Sequence, residues 1–305
     1  LALGSGLATR IPSTSPLSAA LQDEAHARQL AAALPHLPAG ERVLIVGGGL
    51  SAIELASEVA EAYPQLQVEL LTQQLAEGLT DAARAVLAAE LRALGVTIRE
   101  AVRVERLEET GARLADGSFI PAAVSVIASG FTPTPLPAAE SLARSETGRV
   151  LVDEHLRVLV STASGPEPLP NVFAAGDFAQ PPAATIGSGL HTTRMGCVDA
   201  MPLGAHAADQ VARVIAGETL RPFHFNYVIQ CISLGRHRGA VVFVDRDDRA
   251  TGRVIRGRVA ALIKEGICRF VIGGLRLERL AAGFYAWPAG RPAGMLAESN
   301  PVEAQ

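Results

Sequence analysis

Gly47, Gly48 and Gly49 stand between an apolar run, Val43 to Val46, and a stretch in which Ile53, Leu55, Ala56 and Val59 are apolar at helical spacing. Against the spacing G-x-G-x-x-G/A, Gly47 and Gly49 take the first two places and Ala52 the third. That pattern is chemistry for a pyrophosphate. The first glycine permits a tight turn, and the second lets the backbone approach phosphate with no Cβ in the way. The small third residue lets helix and strand pack closely. The helix N-terminus, from Leu50 through Ser51 to Ala52, then offers unpaired N–H groups and the positive end of its dipole. The triplet alone would also fit an ordinary strand-to-helix turn. The strand before it and the helix after it favour the nucleotide loop.

A loop of this kind needs a parallel sheet behind it, and the surrounding pattern supplies one. A helix is expected over Asp23 to Leu34, ended by Pro35, Pro38 and Gly40. The fingerprint helix ends near Tyr63-Pro64, and a second apolar strand covers Val68 to Leu71. Asp81 to Leu94 reads as a helix with Gly95 at its C-terminal end. Short strands follow at Val96 to Ile98, Val102 to Leu107 and Ala112 to Leu114, with Asp116-Gly117 as a hairpin turn. Val124 to Ala128 is a buried strand ending in Ser129-Gly130. This β-α-β-α-β order implies a parallel sheet in an α/β fold.

Further on, strands are expected at Val150 to Val152, Arg157 to Val160 and Val172 to Ala175, the last ending in Gly176-Asp177. A long helix is expected over Thr193 to Ala216, interrupted near Pro202. Strands at Phe225 to Ile232 and Ala240 to Val244 precede an amphipathic helix over Arg258 to Leu280. The tail after Pro288 reads as frayed. At the start, Leu1 to Leu3 reads as the end of a buried strand and Gly4-Ser5-Gly6 as the turn after it, so the natural protein is expected to continue upstream.

Composition narrows the function classes. The 305 residues carry a net charge of −4, which points away from nucleic acid. Aromatic residues are 4% against 49% hydrophobic, so the core must be built from Ala, Val, Leu and Ile. No apolar run is long enough to span a bilayer, and a reducing, cytoplasmic setting fits. Cys197, Cys231 and Cys268 are isolated and no C-x-x-C occurs, so the sequence encodes neither a zinc site nor a redox dithiol; no metal is expected. Free cysteine is among the most buried residue types, and all three are expected in the core. Cys197, with Arg194 close in sequence, keeps a second reading as a redox-active thiolate near a flavin. A triad could be assembled from Ser188, His191 and Asp199, but the GSG at Gly187 to Gly189 is not a nucleophile elbow.

GGGLSAIELASE from Gly47, ASGF from Ala128 and NVFAAGD from Asn171 stand in the order found in two-dinucleotide-binding flavoproteins, and the chain resembles that family from Leu1 to about Gly217. Among its members it is most similar to type II NADH dehydrogenases. The resemblance implies a Rossmann-like NAD(P)-binding domain over 41–131, inserted in an N-terminally incomplete FAD-binding domain formed by 1–40 and 132–217. A small α+β region over 218–290 and a flexible tail over 291–305 would follow.

It also implies roles. Gly47, Gly48, Gly49, Leu50, Ser51 and Ala52 would cradle the NAD(P)H pyrophosphate. Glu54 would lie near the nicotinamide and flavin rings as a catalytic group, with Ser129 and Gly130 lining the nicotinamide site. Gly4, Gly176, Asp177 and Leu203 would meet FAD, with Asp177 accepting from a ribityl hydroxyl. The implied reaction is hydride transfer from NADH to FAD and then to a quinone or other small-molecule acceptor, which requires mainly the stacking and orientation of two rings; a non-catalytic nucleotide-binding sensor and a ferredoxin-reductase-like flavoprotein are the alternative readings.

Three departures from the family pattern matter. The ribose-reading place after the second strand holds Thr72-Gln73-Gln74, with neither an acid nor a basic residue, so the reading leans to NADH only weakly. The FAD fingerprint expected upstream of Leu1 is absent. The family's quinone-proximal glutamines are replaced by Val198 and Pro202, which weakens a quinone as acceptor. For 225–280, two contacts stay open: packing against protein, including a second copy, and lying peripherally on an anionic membrane surface such as the inner face of the plasma membrane.

Overall fold

The computed structural model describes residues 1–8, 11–136, 140–185, 193–280 and 285–288. β1 (Ser5–Leu7) opens the chain, and α1 (Glu24–Ala33) follows, capped by Asp23, whose side chain accepts from the His26 N–H. Then come β2 (Arg42–Val46), α2 (Leu50–Ala62), β3 (Gln67–Leu71), α3 (Asp81–Ala93) and β4 (Thr97–Arg99). A small antiparallel sheet of β5 (Val104–Glu108), β6 (Gly111–Leu114) and β7 (Phe119–Pro121) interrupts the series before β8 (Val124–Ile127). The main sheet has the order β4-β3-β2-β8, all parallel, with Val46 opposite both Leu71 and Ile127.

Parallel strands covered on both faces must be apolar on both, and β2 shows it. Val43, Leu44 and Ile45 are fully buried. Val43 and Ile45 face the core built on α2 and α3, while Leu44 and Val46 face the cluster under β5 to β7. Each buried aliphatic side chain of this size contributes about 1.5–3 kcal/mol. Thr80 caps α3 through its hydroxyl, which accepts the Ala83 N–H, and Gly95 follows the helix at φ +84°.

The second part of the chain is held on strands of its own. β9 (Phe131–Pro133) pairs antiparallel with β1, so Ser5–Leu7 is a strand rather than the expected turn. Ala2 bridges Ala175 in parallel, which agrees with a strand reading of Leu1 to Leu3, although Leu1 is exposed. β10 (Val150–Leu151), β11 (Arg157–Thr162), β12 (Gly165–Phe173) and β13 (Ala179–Gln180) follow. The expected strand at Val172 to Ala175 overlaps the end of the longer β12 at Val172 and Phe173, and Ala175 lies just beyond it in the bridge to Ala2. Pro166, Pro168 and Pro170 are on one parity of β12, so their missing N–H groups fall along one edge of a two-stranded sheet.

α4 (Cys197–Ala216) begins later than expected and runs through Pro202 unbroken, giving up a single intrahelical bond. β14 (Ile229–Ser233), β15 (Gly239–Val244) and β16 (Ala250–Arg256) form an antiparallel sheet, and α5 (Arg258–Leu280) covers it. β16 has no counterpart in the sequence reading because its polar, Gly-containing stretch shows no alternation. Ile232, Leu234, Ala240 and Val242 join the same core as α2 and α3. Only Ala260 and Gly274 of α5 are buried, while Leu262, Ile272, Leu275 and Leu280 are 59–84% exposed. Among the described residues no helix is long and apolar enough to cross a membrane. Ser188, His191, Gly187, Gly189 and the tail after Pro288 lie outside the described residues.

Candidate functional site

The three glycines do three different things. Gly47 sits at φ +147°, and a Cβ there would stand 2.3 Å from the Ala128 carbonyl oxygen, so this residue lets β2 turn beside β8. At Gly48 a Cβ would lie 2.1 Å from the Gln74 carbonyl oxygen and 2.2 Å from the Thr72 hydroxyl. Gly48 is thus the close-packing glycine, and its carbonyl accepts from the Ala76 N–H at 2.7 Å. At Gly49 a Cβ would meet nothing within 4 Å. Gly49 is exposed, sits at the N-cap of α2 and leaves its backbone open to an approaching ligand. Ala52 is fully buried, as close helix-strand packing requires.

A cleft of about 1130 Å³ opens in front of this loop. Gly47 to Ser51 and Thr72 to Gln74 form one wall, with Ser129 and Gly130 beside them. Glu77, Thr80 and Arg103 also line it, and the far end is closed by Arg194, Gln230 and the hairpin tip Asp247 to Ala250. The volume and the open backbone at Gly49 fit a dinucleotide. Thr72 is 5% exposed and its hydroxyl is closed on Gln74, donating to the carbonyl at 2.9 Å and accepting the N–H at 3.2 Å.

Glu54 is not among the cleft's lining residues. Its carboxylate accepts the Ser233 N–H at 2.9 Å and pairs with Lys264 at 3.0 Å, and Lys264 also donates to the Cys231 carbonyl at 3.1 Å. Burial alone would push the Lys264 pKa down, but the charge and hydrogen bond of Glu54 outweigh it and the net shift is upward. Glu54 therefore ties α2 to β14 and α5. Combining Glu54→Gln with Lys264→Met in a double-mutant cycle is expected to give a coupling of about 1 kcal/mol in urea unfolding. A coupling near zero would show that the pair carries no strut.

The flavin-side candidates have structural partners. Asp177 Oδ2 accepts from the Ser5 hydroxyl at 2.6 Å, and Oδ1 accepts the Gly196 N–H at 2.8 Å, so it joins β1 to the start of α4. Each oxygen keeps a second lone pair for a ligand hydroxyl. Gly176, at φ +80°, passes the Leu3 carbonyl oxygen, which would be 3.1 Å from a Cβ. At Gly4 a Cβ would meet nothing within 4 Å. This backbone, open at Gly4 beside an acceptor at Asp177, fits a ribityl chain. Leu203, in contrast, is 1% exposed inside the second core, so packing explains it. Cys197 is exposed at the first position of α4, Cys268 is exposed on α5, and Cys231 is half-buried. The expectation of three core cysteines is therefore corrected: two are exposed on their helices and the third is half-buried.

Sequence reasoning missed the polar cluster behind the cleft. Arg194 pairs with Asp248 through Nε and Nη2, one edge of its guanidinium, and its charge stands 4.5 Å from the centroid of Tyr227. Gln230 donates to Asp248 at 3.1 Å. Tyr227 donates to Asp199 at 2.6 Å, while Asp199 Oδ2 has no hydrogen-bond partner among the described residues. Burial pushes the Asp199 pKa up to about 7 against that hydrogen bond, and brings the Arg194 pKa down to about 10. Asp248, at φ +61°, ends a hairpin turn that nothing local in the sequence links to Arg194.

Comparisons agree with this geometry. The model of the pyridine nucleotide-disulphide oxidoreductase family matches residues 1–201. An NADH dehydrogenase-like protein of Mycobacterium tuberculosis is 28% identical over 212 residues, covering 66% of this chain and 50% of the relative. The ferredoxin reductase subunit of a 5,5'-dehydrodivanillate O-demethylase from Sphingobium is 33% identical over 183 residues, covering 58% of this chain and 42% of the relative. The chain thus spans about half the length of the curated relatives it matches. A ferredoxin reductase from Rhodopseudomonas palustris superposes with a TM-score of 0.62 at 18% identity, over 79% of this chain and 56% of that one. An FAD-dependent pyridine nucleotide-disulphide oxidoreductase from Desulfovibrio vulgaris gives 0.56 at 20% identity, over 80% and 59%. At such identities these structures establish the fold, a Rossmann-like α/β arrangement with a parallel sheet.

Proposed function

The chain belongs to the pyridine nucleotide-disulphide oxidoreductase family, and from that premise we propose that it acts as an FAD-dependent NAD(P)H oxidoreductase. The observation that carries the reading is the cleft before Gly47 to Gly49, where a packed glycine and an open glycine stand side by side at the N-terminus of α2. The pyrophosphate would rest on the N–H groups of Leu50, Ser51 and Ala52, and the nicotinamide against Ser129 and Gly130. Gly4, Gly176 and Asp177 would hold FAD, which when bound accepts a hydride from the nicotinamide and passes electrons on.

The chain's own contribution is positional. The backbone at Gly49 would fix the phosphates, and the paired Arg194 and Asp248 line the cleft's other side. Proton transfer is a minor part of such a reaction.

An electron acceptor of protein type, such as a ferredoxin, is favoured by the likeness to two ferredoxin reductases. A quinone is the alternative. The exposed apolar residues of α5 would serve a second copy of the chain, and the arginines beside them leave an anionic membrane surface as the other contact. A reducing, cytoplasmic location fits three unpaired cysteines.

Mixing the purified protein, saturated with FAD, with NADH and NADPH under anaerobic conditions tests the activity. Bleaching of the flavin's visible absorption is the expected result. An unchanged spectrum with both nucleotides would overturn the reading.

A further inference from the structure

In a sheet of this kind the adenosine ribose is read at the end of β3: a carboxylate takes the 2′-hydroxyl, or a nearby arginine takes a 2′-phosphate. Two carboxylates near that point are committed elsewhere. Glu69 is 4% exposed and paired with Arg42 at 3.2 Å and with Arg99. Glu100 accepts the Leu75 N–H at 2.8 Å. Thr72 is closed on Gln74, and Gln73 and Gln74 are neutral.

Arg103 is different. It is exposed, it lines the cleft, and its guanidinium has no ion pair or hydrogen bond among the described residues. Its backbone is nonetheless fixed beside the end of β3. The Ala101 N–H donates to the Gln73 carbonyl at 3.1 Å, the Val102 N–H to the Thr72 carbonyl at 3.0 Å, and the Arg103 carbonyl accepts the Ala115 N–H at 2.9 Å. A guanidinium anchored at a nucleotide cleft without an internal counter-ion is suited to a phosphate, which it can hold with two parallel N–H bonds.

We propose that Arg103 recognises the 2′-phosphate of the dinucleotide, so that the chain selects NADPH over NADH. The inference rests on the glycine-loop cleft being an NAD(P)H site, and it reverses the weak lean to NADH drawn from the sequence. The rival reader is Glu77, a carboxylate of the cleft lining on the turn whose Ala76 N–H meets the Gly48 carbonyl.

Calorimetric titration of the 305-residue chain with NADPH, NADH, adenosine 2′,5′-bisphosphate and 5′-AMP tests it. NADPH is expected to bind at least about tenfold more tightly than NADH at low salt, and the bisphosphate more tightly than 5′-AMP. Arg103→Gln, an exposed substitution with an unchanged melting point, is expected to remove about tenfold or more of the NADPH affinity while NADH stays within about twofold. Added salt is expected to shrink the preference in the wild type alone. Equal or tighter binding of NADH, or NADPH binding unmoved by Arg103→Gln, would overturn the proposal. Loss of NADH affinity in Glu77→Gln with an unaltered Arg103→Gln assigns the ribose to Glu77 and overturns it likewise. Binding of neither nucleotide overturns the cleft as an NAD(P)H site, and the specificity with it.

Discussion

Gly48→Ala is expected to destabilise the chain by about 3 kcal/mol or more, and Gly49→Ala to leave the fold within about 1 kcal/mol while removing nucleotide binding. The two positions are adjacent and share one motif, but their surroundings are opposite. A methyl at Gly48 is aimed at the Gln74 carbonyl oxygen, 2.1 Å away, and at the Thr72 hydroxyl, 2.2 Å away. Neither can retreat freely: Thr72 is bonded to Gln74 on both its donor and acceptor sides, and the turn is held to the loop by Ala76 N–H to Gly48 carbonyl. At Gly49 the backbone has an ordinary φ of −76° and a Cβ has open space. The cost there is the small N-cap difference between Gly and Ala. That open space is where the pyrophosphate must come into contact with N–H groups, and a methyl group there would hold it off. An affinity loss of about a hundredfold or more is expected, comparable to losing two charge-assisted hydrogen bonds. Urea midpoints and calorimetric titration read the two effects separately. A Gly48→Ala variant as stable as the wild type would discard the packing argument; a Gly49→Ala variant that binds NAD(P)H normally would remove the loop from the site.

The same loop shows how much was legible in advance. β2, α2 and β3 were readable because their signal is local: an aliphatic run, a glycine turn, then a 3.6-residue period, all within Val43 to Leu71. The fold class followed from the order of such signals. What was unreadable depends on contacts between distant positions. Glu54 fits the motif, yet its carboxylate is claimed by Ser233 and Lys264, two residues that only the C-terminal sheet and helix bring to it. Arg103 lies within the strand expected over Val102 to Leu107; backbone bonds from its neighbours Ala101 and Val102 to Gln73 and Thr72 put it on the cleft wall. Arg194 and Asp248 meet only because β15 and β16 turn at Asp248 in a left-handed conformation. The cysteines were misplaced for another reason. Apolar preference says that a thiol is often buried, but Cys197 and Cys268 stand on helices that are only partly covered, and both are exposed.

Asp199→Asn is expected to raise stability above pH 7 and to flatten its pH dependence, because the aspartate is buried as an acid that ordinary pH would ionise. Asp199 is 2% exposed at the third position of α4, with Tyr227, Arg194 and Arg149 as its polar neighbours and Asp177 as a nearby like charge. Burial raises its folded-state pKa to about 7 from an ordinary 3.8. Between those values the folded chain holds a proton that the unfolded chain has released. Stability from this group is therefore fully present below the lower value, falls as pH rises, and is gone above about pH 7. At 1.36 kcal/mol for each pKa unit, the full span is on the order of 4 kcal/mol. Asparagine copies the neutral acid: its carbonyl can accept from Tyr227, and it has no charge to lose. Urea unfolding of both proteins from pH 4 to pH 8 measures the difference. The curves should be close at the acid end and separate towards the alkaline end, with Asp199→Asn the more stable. Parallel curves would mean that Arg194 and Arg149 compensate the carboxylate in full, and the start of α4 would then hold an ion pair at the edge of the cleft instead of a buried acid.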